Sequence, residues 1–404
     1  MNAIEIKPDI YWVGVNDRKK DLFEGLWPVQ KEGVSYNSYL IRDDKNILID
    51  LASASSEDAY FDQIKQVCDP GKIDLVIINH MEPDHSGLLT RLRQLSPQVK
   101  FLATDKAAAM LNGFYGIANG IQVVTNETII GLSRHNLRFT AVPMVHWPET
   151  MVTYEENERI LFSCDAFGSY GAIENGIFDD TCENLDFYRQ EGLRYYANII
   201  ASYNKSVLLA ISKLKNLVID VVAPSHGLVW RKNPGEIIGL YQKWADYAAS
   251  GGEAGVTILC GTMYGNTLKA VDAVERGIMK VSLPSTRFDV SRDHVSYILA
   301  ALWSQRGVVI GAPTYDGGIF PAMTDVLSLA AKKRYGRKVA ARLGSYAWGG
   351  GAERAFNSLN EELKWELFES FDFLGRPTDT DLARGESLGE QFSKLLTSHP
   401  TPAV

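Results

Sequence analysis

A chain of 404 residues exceeds one ordinary domain and is long enough for two, each able to bury a core of its own. With 46% hydrophobic and 22% charged residues it has the composition of a globular protein, and no apolar run is long enough to cross a bilayer, which excludes a membrane partner. A formal net charge of -8 argues against nucleic acid, whose binding rests on neutralising phosphates.

The N-terminus, MNAIEIKPDIYWVG, has an early acid and Lys7 where an export signal would have a basic start and an apolar stretch, so a cytoplasmic location is expected. From there to about Thr153 short runs rich in β-branched and aromatic residues follow one another: IYWVGV, YNSYLIR, NILIDLA, IDLVIIN, VKFLAT, IQVVT and LRFTAVPMV. Helical stretches such as SEDAYFDQIKQVC separate some of them. RILFSC, from Arg159, leads into a mostly helical segment over roughly 183–218, and IDVVAPS is a further short strand. The small-residue run 248–255 reads as a linker. Beyond it the order becomes regular: strand VTILC, helix 266–280, strand TRFDV, helix 293–304, strand GVVIGA, helix 321–333, strand KVAARL, helix 351–364, strand WELFESFDF and a helix near 381–397. Such alternation predicts a doubly wound parallel sheet. The basic stretch AKKRYGRK (331–338) reads as a solvated helix end and turn. Cys68, Cys164, Cys182 and Cys260 include no C-x-x-C pair, which excludes a rubredoxin-like or zinc-ribbon site and fits free thiols in a reducing compartment.

Seven histidines are present: His80, His85, His135, His146, His226, His294 and His399. Four of them share one context, the end of an apolar strand passing into a loop. His80 and His85 follow IDLVII within NHMEPDHSG, His146 follows FTAVPMV, and His226 follows IDVVAP. Asp165 lies likewise after ILFSC. Strand ends deliver such side chains to one rim of a sheet sandwich, and buried charged or imidazole groups are costly unless paired or bound to metal. H-x-E-x-D-H alone places His80, Glu82, Asp84 and His85 on one tight loop, so a metal site is expected.

In the second half, LCGTMYGNTLKAV follows the first strand and opens the first helix. Its turn N–H groups and the hydroxyls of Thr262 and Thr267 make an anion site; without a G-K-[ST] ending it suits a monophosphate better than a triphosphate. APTYDGGIFP and GSYAWGGGAE lie after later strands, and their glycines and aromatics suit a flat aromatic ligand. The candidate binding residues are Thr262, Met263, Tyr264, Gly265, Asn266 and Thr267 in the first loop, Pro313, Thr314, Tyr315, Asp316, Gly317 and Gly318 in the second, and Ser345, Tyr346, Ala347, Trp348, Gly349 and Gly350 in the third.

H-x-E-x-D-H followed by a lone His, a lone Asp and a second lone His resembles the metallo-β-lactamase-like domain, in the variant with Glu where hydrolytic members carry His. That variant is similar to the flavodiiron proteins, also called A-type flavoproteins, and YNSYL, HWPETMVTY, SCDAFG, YYANI and APSHGLVWRKNP are further family-like stretches. The resemblance covers essentially the whole chain. It implies an α/β fold: a metallo-β-lactamase-like αββα sandwich over residues 1–250, then a flavodoxin-like doubly wound parallel sheet over 254–404. It also implies two iron ions, one held by His80, Glu82, His146 and Asp165, the other by Asp84, His85, His226 and the bridging Asp165, with catalysis at these seven residues. A mixed carboxylate and histidine set suits iron, although zinc accepts the same donors. The three loops resemble those that bind FMN in flavodoxins, with Tyr315, Tyr346 and Trp348 offered to the isoalloxazine ring.

The implied activity is an oxidoreductase reducing dioxygen to water, nitric oxide to nitrous oxide, or both, with electrons passing from a separate donor, a rubredoxin-like protein or a reduced cofactor, through FMN to the iron pair. A head-to-tail homodimer or dimer of dimers is implied too. The rival enzyme reading is a binuclear zinc hydrolase with an appended flavodoxin, and the non-enzyme reading an electron carrier with a vestigial metal site. One departure stands out: where many family members carry a histidine in an FHG-like stretch, this chain has LFEGLW, with Glu24 in that place. A carboxylate there alters proton supply and electrostatics beside the metals.

Overall fold

In a computed structural model, which describes residues 2–398, the chain folds into two compact units, residues 1–242 and 243–404. The first unit holds a seven-stranded sheet in the order Ile4–Lys7, Ile10–Trp12, Tyr39–Arg42, Asn46–Ile49, Leu75–Ile77, Lys100–Ala103, Ile121–Val123. Its second sheet has five strands, Ile129–Gly131, Asn136–Ala141, Met151–Glu155, Ile160–Cys164 and Val221–Pro224. One apolar core joins them: Trp12, Ile47, Ile49 and Ile77 from the first sheet pack with Phe139, Met151, Phe162 and Ala223 from the second. Ile160–Cys164 is buried along its full length, as expected of a strand covered on both faces, which explains the unbroken run ILFSC. Each fully buried Ile, Phe or Met of this layer contributes on the order of 1.5–3 kcal/mol.

Within the NHMEPDHSG loop, Pro83 opens a short helix, Pro83–Ser86, where its fixed φ and missing N–H are harmless. The Ser86 hydroxyl donates to the carbonyls of Met81 (2.7 Å) and Glu82 (2.9 Å) and ties the loop back on itself. Two elements differ from the sequence reading. Residues 248–255 are not a free linker: Ala248 to Ser250 form the last turn of helix Pro234–Ser250, Gly251 and Gly252 turn the chain at φ +81° and +104°, and Glu253 already starts a strand. Alanine and serine fit a helix end as readily as a linker, and the amphipathic stretch before them had no strong start signal beyond Pro234. The hairpin Leu22–Phe23 with Trp27–Pro28 was also missed, since two-residue strands leave no periodicity to detect.

The second unit is a five-stranded sheet, Ser285–Asp289, Glu253–Cys260, Gln305–Gly311, Val339–Tyr346 and Glu366–Leu374, with every pairing parallel. In chain order that is 2-1-3-4-5, the flavodoxin-like order, reached through helices Asn266–Lys280, Val295–Ser304, Pro321–Lys332 and Ala352–Leu363. Gly389 and Gly277 let helix Asp379–Ser398 lie close against Asn266–Lys280; a Cβ on Gly389 would stand 2.0 Å from the Val274 carbonyl. The strand starts are held by Lys338, from the stretch read as solvated. It is 2% exposed and its ammonium donates to the carbonyls of Gly251 (2.6 Å), Gln305 (2.9 Å) and Trp303 (3.2 Å). Burial pushes its pKa down to about 7, whereas three carbonyl acceptors match the three N–H donors of the charged form.

Lys338→Met strips three buried carbonyls of their donor and is expected to destabilise the second unit by about 2–4 kcal/mol. Urea unfolding followed at that unit's tryptophans measures it; an unchanged midpoint would contradict this account of the strand starts.

Candidate functional site

Buried strands stop and polar loops begin at one end of the sandwich. After Leu75–Ile77 the loop is fixed at once: Asn79 donates through its backbone N–H to Asp50 Oδ1 (2.8 Å) and through its side chain to Asp50 Oδ2 (3.2 Å). The Met81 N–H donates to Glu149 Oε1 at 3.0 Å. Cys164, at φ +52°, turns the chain sharply at Asp165, and the Ser225 N–H donates to the Cys164 carbonyl at 2.8 Å. The Asn37 amide bonds the carbonyls of Pro224 and Gly227 on either side of His226, each at 2.8 Å.

These loops bring the seven sequence-identified residues into two adjoining groups. In the first, His80 Nε2 lies 3.3 Å from both Glu82 Oε2 and Asp165 Oδ2, and His146 Nε2 lies 3.0 and 3.3 Å from the same two oxygens. In the second, His85 Nε2 is 3.0 Å from Asp165 Oδ1 and 3.4 Å from Asp84 Oδ1, while His226 Nε2 is 3.3 Å from Asp165 Oδ1 and from Asp84 Oδ2. Asp165 therefore turns one oxygen to each histidine pair. Donor atoms of His80, Glu82, His146 and Asp165 lie within 4.8 Å of one another, as do those of Asp84, His85 and His226.

Although buried, both oxygens of Asp84 and of Asp165, and Nε2 of His85 and His226, have no partner in hydrogen-bonding geometry among the described residues. Lone pairs facing a common point at 3.0–3.4 Å without bonding each other fit a metal pair; as a set of ordinary hydrogen bonds they would be costly. The Cys164 thiol is also within 4.8 Å of His85 and Asp165 donors, and in the metal-free chain burial holds its pKa well above the usual thiol value.

Around the donors lies a shell that the sequence reading did not assign. Glu149 Oε1 accepts from His80 Nδ1 at 2.7 Å, and the Ser35 carbonyl accepts from His226 Nδ1 at 2.7 Å; each contact leaves Nε2 free to face the metal position. Glu149 follows His146 by three residues in HWPET, and only the fold puts it behind a different histidine, His80. Phe23, from the short hairpin, packs edge-on against His226 with ring centroids 5.3 Å apart, and Trp147 against His80 at 5.1 Å. Of the other histidines, His135 is buried beside Glu155, His294 caps helix Val295–Ser304, and His399 lies outside the described residues.

Electrostatically the cluster demands cations. Burial lowers the pKa of His146 and of His226, but the close carboxylates of Asp165 and of Glu82 or Asp84, 3.0–3.3 Å away, outweigh it and raise them to about 9 and about 10. Asp165 is driven the opposite way: burial raises its pKa, and the charge of His85 with the close nitrogens of His146 and His226 pulls it well below the carboxylate range. Glu24 takes a bond from Trp27 Nε1 at 3.0 Å, and burial of its carboxyl, aided by the negative charge of Glu82, raises its pKa to about 7.

In the second unit the three glycine-rich loops share the rim at the carboxyl ends of the strands. Helix Asn266–Lys280 begins after Gly265 at φ +84° with no side-chain cap, so its first N–H groups are free for an anion. The Thr262 hydroxyl accepts from the Gly265 N–H at 3.0 Å, and Thr267 and Ser345 join the first and third loops at 3.0 Å. A Cβ on Gly351 would stand 2.1 Å from the Gly317 carbonyl, so the second and third loops meet only because that position is glycine. Tyr264 and Trp348 are 90% and 96% exposed and Met263 and Tyr315 are exposed beside them, while Pro313 is buried and Thr314, Ser345 and Tyr346 are half-buried. Asp316, Ala347, Gly349 and Gly350 are open at the same rim, and Asn266 starts the helix. A bare aromatic rim above an uncapped helix start fits a phosphorylated planar ligand.

Comparison with known proteins places this geometry. Residues 34–227 match a family described as ODP family beta lactamase. The chain is 32% identical over 407 aligned positions to an anaerobic nitric oxide reductase flavorubredoxin of Escherichia coli O1:K1 / APEC, covering 99% of this chain and 84% of that one. Among solved structures, rubredoxin oxygen:oxidoreductase of Desulfovibrio gigas superposes with a TM-score of 0.92 at 24% identity, covering 98% of this chain and 99% of that chain, which bears on the fold. A flavodiiron protein mutant from Thermotoga maritima superposes with a TM-score of 0.87 at 29% identity, covering 98% of each.

Two outcomes are expected. Because the folded pKa values of His146 and His226 exceed the unfolded value of about 6.5, their protonated forms stabilise the metal-free chain fully below about pH 6.5, and that stability is lost as pH rises through about 9 and about 10. Melting temperatures of metal-free protein should fall across that window while those of metal-loaded protein hold; equal profiles would contradict the cluster's electrostatics. Glu149→Ala should weaken metal binding about 10–100-fold, with Glu149→Gln closer to the native chain because it keeps an acceptor. Metal content after dialysis against a graded chelator reads this, and native retention in Glu149→Ala would remove Glu149 from the positioning role.

Proposed function

For a chain that belongs to the flavodiiron protein family, as this one does, we propose reduction of dioxygen to water, nitric oxide to nitrous oxide, or both, at an iron pair held by His80, Glu82, Asp84, His85, His146, Asp165 and His226. It is an oxidoreductase whose cofactors are FMN and a non-haem diiron site. The observation that carries the reading is Asp165, whose two oxygens face separate histidine pairs. When bound, the iron pair supplies redox-active open positions for a diatomic gas, and FMN takes and gives electrons singly.

What the chain itself contributes follows from its side chains. Glu149 and Ser35 set the tautomers of His80 and His226. Phe23, Trp147, Tyr36 and Tyr195 enclose the histidines in aromatic surface that keeps bulk water from their ring faces. Glu24, whose pKa in the metal-free chain is raised above the usual carboxylate value, offers a proton-carrying carboxyl to a reaction that consumes protons. The uncapped start of Asn266–Lys280 and the Thr262 and Thr267 hydroxyls would hold the FMN phosphate, and Tyr315, Tyr346 and Trp348 its ring.

Electrons are proposed to come from a separate donor, a rubredoxin-like protein or a reduced cofactor, since these residues contain no C-x-x-C pair that would hold a rubredoxin-type iron. The name of the relative at 32% identity supports nitric oxide as a substrate. Exposed Tyr264 and Trp348 on one unit, and exposed Leu26 and Phe114 on the other, support the proposed head-to-tail homodimer or dimer of dimers. No helix among the described residues is long and apolar enough to cross a membrane, and four free cysteines support a reducing, cytoplasmic setting.

Anaerobic stopped-flow of the FMN- and iron-loaded, fully reduced protein against each gas tests the proposal. Multiple turnovers with at least one gas, lost in Asp165→Asn, are expected; zinc in place of iron with no reoxidation of the flavin by either gas would return the site to hydrolysis.

A further inference from the structure

We infer that the second unit carries another anion site, for a small phosphate-bearing molecule, at the amino-terminal edge of its parallel sheet, the edge opposite the three glycine-rich loops. A cavity of about 480 Å³ opens there, lined by Arg306, Arg337, Lys338, Lys364, Glu366 and Leu396 among others. A smaller one of about 330 Å³ shares Arg337 and Lys364 and adds Arg334 and Glu362. The larger falls within the range of about 300–1,000 Å³ typical of small-molecule sites.

The bland account of cations here is that this edge collects helix carboxyl ends, whose free carbonyls attract them. It suffices for Lys338, whose three donors are all used by carbonyls. It does not suffice for the rest. Arg306 gives one nitrogen to the Leu396 carbonyl, yet its Nε has no partner among the described residues although the residue is only 8% exposed. A buried guanidinium N–H left unmet carries a desolvation penalty that a bound acceptor removes. Most arginines of this chain meet a carboxylate, as Arg91 meets Glu57, Arg189 meets Glu236 and Arg384 meets Glu369. Arg306, Arg334, Arg337 and Lys364 have none within 4.0 Å among the described residues, an arrangement that self-repulsion disfavours unless an anion is shared.

Lys338 aside, four cations lie around the two cavities against two carboxylates, Glu362 and Glu366. That excess, with forked guanidinium donors, suits a dianionic phosphate better than a single carboxylate. A bare phosphate ion and the phosphate of a nucleotide share this chemistry.

The site is tested on the FMN- and iron-loaded chain by calorimetric titration at low ionic strength with two probes, inorganic phosphate and adenosine monophosphate. Arg337 and Lys364 are exposed and sit at φ +59° and +57°, so Arg337→Asn with Lys364→Asn removes two charges at positions where asparagine is tolerated. Arg306→Lys keeps a donor for Leu396 but loses the fork. Saturable binding of at least one probe is expected, weakened at least about tenfold in the double variant and in Arg306→Lys, the loss that goes with a charge-assisted hydrogen bond. The tighter probe identifies a free or a nucleotide phosphate as the source. No saturable binding of either probe, or equal binding by the native chain and a double variant of native melting temperature, overturns the inference.

Discussion

One carboxylate holds the site of the first unit together. Asp165 is 1% exposed, faces four histidine nitrogens at 3.0–3.3 Å, and makes no well-formed hydrogen bond to any of them. With Glu82 and Asp84 beside it, three acids are crowded where water cannot screen them, and such a concentration of charge is tolerable only with cations at its centre. In their absence the imidazoles take up protons, which is why His146 and His226 are shifted upward against the pull of burial. The sandwich is the frame that makes this crowding possible, because the loop after Leu75–Ile77 carries four of the donors and three other loops at that end carry one each.

Precision at the site comes from groups that do not face the metal position. Glu149 and the Ser35 carbonyl each fix one imidazole from behind, and the paired bonds between Asn79 and Asp50 anchor the start of the loop that carries four of the donors. Glu24 belongs to neither class. It sits in the turn of a hairpin of two-residue strands, where burial and the negative charge of Glu82 raise the pKa of its carboxyl to about 7.

The two edges of the second sheet divide the electrostatics of that unit. At the carboxyl edge free helix N–H groups and glycine-rich loops offer positive potential and a flat aromatic rim. At the amino edge helix carboxyl ends gather, and Lys338 answers the carbonyls of Gly251, Trp303 and Gln305 from a buried position. Parallel strand order alone dictates this polarity, since every crossover helix starts at one edge and ends at the other.

Residue type and local spacing determined by themselves that this chain binds metal and a phosphorylated cofactor. H-x-E-x-D-H, three further strand-end donors and a G-x-x-x-G turn before a helix are short-range patterns whose chemistry is written in adjacent residues. The strand and helix alternation of the second half was legible for the same reason, being periodic. Tertiary structure alone decided which distant residues stand behind the donors: Glu149 is 69 residues from the histidine it orients, and Ser35 is 191 residues from His226. It also decided that Ala248 to Ser250 end a helix and that Lys338 lies inside the molecule, because a small-residue run and a basic turn have no local signal that separates their buried from their solvated forms. Contacts made across such separations depend on how sheets pack face to face, and no window of sequence contains that information.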